Sequence, residues 1–181
     1  MGAFAPFAVR DALIVAVVLT AWWLFYPVTV QPAFLADTLG LLLGLGAALV
    51  VYLLHEWGHL LAALASGGTA YPPARLKHPS LFSFDVERND KRQFTLMSLG
   101  GFAVTAVAIY FFFFVLPGAP FEVRVARAGV ALLASITLFV EVPLLLVGLL
   151  LPRIPSVVAV FRVAEDDLAP GSAPGTGTPG P

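Results

Sequence analysis

The chain of 181 residues is 59% hydrophobic and 12% charged, with a mean hydropathy of +0.92 and a formal net charge of -1. A soluble domain of this size carries roughly twice that charge fraction, so the composition specifies a polytopic membrane protein embedded in a lipid bilayer. No basic stripe points to a nucleic-acid partner. Having no cysteine and three histidines excludes disulfides, thiolate metal ligands and a histidine-rich diiron centre.

The first apolar run follows Arg10 and ends in Trp22, Trp23 and Tyr26, an interfacial aromatic belt. A signal peptide is the rival reading. No small-x-small cleavage site follows directly, so a transmembrane helix over about 7–28 is expected. A second span is expected over about 38–66, stopped by Gly67-Gly68, with Gly40, Gly44 and Ala48 as a small-residue packing ridge. Residues 69–93 are polar. Tyr71-Pro72-Pro73 forbids helix there, and the partial alternation from Leu81 to Glu87 suits a short strand or hairpin arm. Third and fourth spans are expected over about 94–116 and 126–151, each closed by proline. The expected fold class is all-α integral membrane: one polytopic domain over 1–163, four transmembrane helices and a β-hairpin-like cytoplasmic loop. The Pro-, Gly- and Ser-rich stretch 164–181 is expected to be disordered.

Positive charge sets the orientation. With the N-terminus inside, the inner segments hold Arg10, Arg75, Lys77, Arg88, Lys91, Arg92, Arg153 and Arg162, and the outer loops only Arg124 and Arg127. Both termini are therefore expected in the cytoplasm. The second helix then runs inward and ends near the cytoplasmic face.

That helix carries His55-Glu56-Trp57-Gly58-His59. Histidines four residues apart lie on one helical face, about 6 Å apart, and can bind one metal ion. Glu56 between them is the candidate catalytic base for a metal-bound water. At 1.5 Å per residue the motif lies roughly 10 to 16 Å from the inner helix end. Ionisable groups at that depth are costly and read as functional.

A catalytic zinc takes three protein ligands and leaves one position open, so His55 and His59 need a partner. Glu141 is the foremost candidate: it is the one charged residue in the last expected span, and its depth of about 15 Å matches that of His55. Pro143 has no N–H for the carbonyl of Phe139, so the helix should open beside Glu141. His78, Asp85 and Glu87 in the polar loop are weaker candidates. Ser98, Gly101 and Thr105 share a face of the third span. Small residues there let its backbone approach the motif helix, and the hydroxyls are available to a ligand or substrate. Two histidines, a carboxylate and a glutamate base favour Zn2+ as cofactor. The plainer alternative is a polar cluster satisfied by neighbouring helices.

The motif and the run Leu60-Leu61-Ala62-Ala63 on to Gly67-Gly68 resemble the site-2 protease family of intramembrane zinc metalloproteases. The resemblance covers about residues 39–151. It implies a zinc-dependent peptidase that cleaves the transmembrane helix of a membrane-protein substrate near the inner face, with a hairpin-like loop after the motif helix. Gly101-Phe102-Ala103-Val104-Thr105 loosely echoes the family's second motif. Glu141-Val142-Pro143 stands where the family has an Asp-Gly step, so Glu141 replaces an aspartate or the site is altered. That difference keeps a second expectation open, a non-catalytic relative acting as a partner-binding or metal-binding membrane subunit.

Overall fold

A computed structural model of the chain describes residues 2–29, 34–78, 80–118 and 120–154. A short 3-10 turn, Gly2–Phe4, leads into α1 (Ala5–Thr29) and then α2 (Phe34–Ala65). A two-stranded antiparallel sheet follows, β1 (Ala70–Tyr71) on β2 (Ser83–Phe84), with Ala70 opposite Phe84 and Tyr71 opposite Ser83. Helix α3 (Lys91–Tyr110) runs into a π-turn at Phe111–Val115. Helix α4 (Phe121–Ile136) continues through a second π-turn, Thr137–Glu141, into α5 (Val142–Leu150). The expected stretch 164–181 lies outside the described residues.

The described residues are 78% helical, and among them are four helices long and apolar enough to cross a membrane: Gly2–Tyr26, Phe34–Ala65, Lys91–Val115 and Phe121–Leu150. Large apolar side chains point away from the bundle, with Trp23 78% and Leu150 82% exposed. So much outward-facing apolar surface suits a lipid environment and not water.

All four expected spans begin late, the first by two residues, since α1 starts at Ala5. Helix α3 starts three residues before 94 because Asp90 caps it: its carboxylate accepts from the Gln93 amide at 2.7 Å, and the Gln93 side chain accepts from the Asp90 amide at 2.8 Å. This reciprocal pair satisfies two otherwise orphaned donors. Helix α4 begins at Phe121, five residues before 126, with extended Pro120 at its N-cap. Helix α2 begins at Phe34, four residues before 38. For α3 and α4, hydropathy marks the apolar centre of the span, while the Asp90 cap and Pro120 mark its start.

Helix α2 is the hub, packing against α1, α3 and α4. Its glycines set how closely the others approach. A Cβ on Gly58 would stand 2.7 Å from the Gly100 carbonyl oxygen, and one on Gly100 would stand 2.3 Å from that of Gly58. At this crossing backbone meets backbone, which only small residues permit. Toward the other end of α2, a Cβ on Gly44 would meet the Glu122 carbonyl and the Val125 side chain at 2.5–2.7 Å. The segment that carries the β-sheet is closed at its two ends by Asn89, which accepts from the Thr69 amide and donates to the Thr69 carbonyl.

Candidate metal centre

The two motif histidines sit on one face of α2, and their rings meet edge to face with centroids 4.5 Å apart. Helix α3, brought close by the Gly58–Gly100 crossing, supplies a backbone acceptor to each ring. His59 Nδ1 lies 2.9 Å from the Met97 carbonyl, and His55 Nδ1 lies 3.0 Å from that of Gly101 and 2.8 Å from Thr105 Oγ1. A carbonyl only accepts, so both Nδ1 atoms carry the proton and donate. In the neutral imidazoles each Nε2 then carries its lone pair, and the two Nε2 atoms face each other across 3.0 Å.

Glu141 completes the group from the opposite side. One carboxylate oxygen is 3.1 Å from His55 Nε2 and the other 3.8 Å from His59 Nε2. All three ligand atoms lie within 4.8 Å of one another. His55 is 1% exposed, and His59 and Glu141 are each 12% exposed. Glu141 Oε2 is buried without a hydrogen-bond partner.

The backbone around Glu141 opens as Pro143 requires. With no N–H at Pro143 and its ring against the preceding turn, Thr137–Glu141 forms a π-turn in which the Val142 amide reaches back to the Thr137 carbonyl. Such bulges redirect a side chain that a regular helix would place elsewhere. Here the redirected side chain is Glu141.

Glu56 follows His55 on α2 and is half-buried. Its Oε2 accepts from the Leu81 amide at 3.5 Å, so the segment preceding β2 reaches the candidate base. Of the three residues expected to face a substrate, two support the histidines. Thr105 and the Gly101 carbonyl bond His55, and Gly101 leaves room for the His59 ring. Ser98 bonds the Phe94 carbonyl one turn earlier at 3.0 Å. The weaker ligand candidates stay outside the triad: Asp85 accepts from the Glu87 and Arg88 amides, and His78 contacts Ser80.

Two buried carboxylates were not legible as site or support groups from hydropathy. Asp11, on α1, accepts from the Trp57 indole of the motif at 2.8 Å. Its signal is the one that marks Glu141, an acid inside an apolar span, but it is hidden by the adjacent Arg10. Glu122 falls outside the expected fourth span, which hides its burial. It is fully buried with neither carboxylate oxygen hydrogen-bonded, about 30 Å along the helix from Glu141.

Comparison with family models, with curated proteins and with solved structures returns no match for the chain.

Proposed function

We propose that the chain is a zinc-dependent intramembrane metallopeptidase of the site-2 protease kind, hydrolysing peptide bonds in or near the transmembrane segments of membrane-protein substrates. The observation that carries this reading is the convergence of acceptors at the triad. In neutral imidazoles, two lone pairs and a carboxylate face one another. A proton on His55 Nε2 would serve Glu141 or His59 but not both. A single divalent cation serves all three.

The donor set suits zinc: two neutral imidazoles and one carboxylate, with no thiolate. Tetrahedral ligands at about 2.0–2.1 Å from zinc stand about 3.3 Å apart; the two Nε2 atoms stand 3.0 Å apart, and one ligand atom from each of the three residues lies within 4.8 Å of the others, so small side-chain movements would close the set around an ion. His55, His59 and Glu141 would hold the ion, with Met97, Gly101 and Thr105 orienting the rings from behind. When bound, zinc supplies a Lewis acid that polarises a scissile carbonyl and eases the deprotonation of water.

In this reading the chain's own groups do the rest. Glu56, one residue beyond His55 on the same turn, takes the proton from the attacking water and returns it to the leaving amine. Burial of the triad excludes bulk water and strengthens each interaction made there. The substrate segment must be unwound first, because a helical peptide bond is shielded by its own hydrogen bonds.

The test sets Glu56→Gln beside Glu141→Ala. Glu56→Gln should keep about one zinc per chain and lower cleavage by about 10²–10⁴-fold, whereas Glu141→Ala should lose the zinc itself. Unchanged cleavage in Glu56→Gln would remove Glu56 from the mechanism. Zinc binding without any cleavage by the native chain would favour the non-catalytic, partner-binding relative, a reading supported by Glu141-Val142-Pro143 standing in place of an Asp-Gly step.

A further inference from the structure

Helix α1 packs on α2, and its outward face is apolar. Yet near the same end as the motif it carries a buried charge. Asp11 is 3% exposed, a costly placement unless its partners are strong. Its two oxygens are both used: Oδ2 accepts from Trp57 Nε1 at 2.8 Å, and Oδ1 accepts from Arg10 Nε at 2.7 Å. Trp57 is the residue immediately after Glu56.

Arg10 reaches further. While Nε holds Asp11, its Nη1 donates to the Leu76 carbonyl, and its guanidinium lies over the Phe7 ring. Phe4 and Phe7 form a buried cluster with Leu60 and Leu81, against which Trp57 also packs. Leu81 is 1% exposed, and its amide is the group that bonds Glu56 Oε2. Polar and apolar contacts from α1 therefore converge on both neighbours of Glu56: Trp57 along the helix and Leu81 across from it.

The geometry points to Asp11 and Arg10 as positioning residues for Glu56. Asp11 fixes the Trp57 indole, Arg10 ties Leu76 to the same carboxylate, and together they seat the Leu81 amide on Glu56. The structural coupling stands on these contacts alone; its consequence for cleavage rests on the peptidase reading. Arginine is required because two of its nitrogens act on two partners at once, which a lysine ammonium at the end of a flexible stem does not reproduce.

The experiment uses the full-length, zinc-loaded chain in mild detergent. Because the protein has no cysteine, Ser80→Cys, at a position 7% exposed beside Leu81, gives a single reporter for a water-soluble maleimide. Asp11→Asn and Arg10→Lys should each raise its labelling rate about tenfold, the scale of one charge-assisted hydrogen bond lost. Zinc content should not change. In a cleavage assay both variants should lower kcat about tenfold with KM unchanged, and Trp57→Phe added to Asp11→Asn should cost less than it does in the native chain. Unchanged labelling in both variants overturns the proposal. So does an equal rise at a Ser98→Cys reporter in the helical core, which would mark general loosening. If the native chain cleaves nothing, the peptidase reading fails while labelling still decides the coupling.

Discussion

A Cβ placed on Gly101 would stand 2.2 Å from His59 Nε2 and 2.3 Å from its Cε1. The ring cannot yield without leaving the Met97 carbonyl, which holds its other nitrogen at 2.9 Å. Gly101→Ala should therefore displace His59 from the triad and weaken zinc binding about 10–100-fold, the usual cost of disturbing a ligand's support. Thr105→Val is the informative contrast. It removes one acceptor from His55 Nδ1 but leaves the Gly101 carbonyl at 3.0 Å, so the tautomer persists. Its effect should be smaller, about tenfold or less. Competitive zinc titration against a chromophoric chelator measures both, and equal losses in the two variants would contradict this assignment of roles.

At the scale of elements, the site depends on two departures from regular helix. The Gly58–Gly100 crossing brings α3 onto the motif, and the π-turn before Pro143 aims Glu141 at it. The second departure yields a prediction. Pro143→Ala returns a donor for the Phe139 carbonyl and lets the π-turn tighten to α-helix, a change of about 100° in the direction of Glu141. The metal-free variant should melt higher than the native chain, while its zinc affinity falls at least tenfold, the scale of one misplaced ligand. Higher affinity, or a lower melting temperature, would show that the proline does not set this geometry. Much of this was legible beforehand. Proline chemistry foretold an opening beside Glu141, and matched depths foretold that Glu141 reaches His55 and His59. The face of α3 that meets the motif helix was legible from its small residues, but the support roles of Gly101 and Thr105 were not, because which ring nitrogen each one bonds depends on the register of the crossing. Nor was Asp11 legible, since its partner Trp57 lies 46 residues away and only the packing of α1 brings them together.

For the molecule as a whole, the triad ties the second helix to the last across the bundle. His55 and His59 belong to α2 and Glu141 to the turn leading into α5, and the contacts of Glu141 with the two rings join these segments. With neither a cation nor a proton shared among them, three acceptors would face one another at 3.0–3.8 Å, a repulsive arrangement inside an apolar bundle. Metal binding should therefore appear as stability of the whole fold. A ligand that binds only the folded state adds RT ln(1 + [L]/Kd), about 2.7 kcal/mol at a hundredfold excess over Kd. For a chain of this length that corresponds to a rise of roughly 5–10 °C in Tm. Chelation should lower Tm by this amount, zinc should restore it, and magnesium, which prefers oxygen ligands and octahedral geometry, should not. Glu141→Ala should be insensitive to either treatment, because two histidines on one helix bridge no second element. Glu56→Gln should respond as the native chain does, since Glu56 belongs to the chemistry and not to the ligand set. A native protein whose Tm is the same with chelator and with zinc would mean that no ion joins these helices. The convergence of the triad would then have to be satisfied by protons alone.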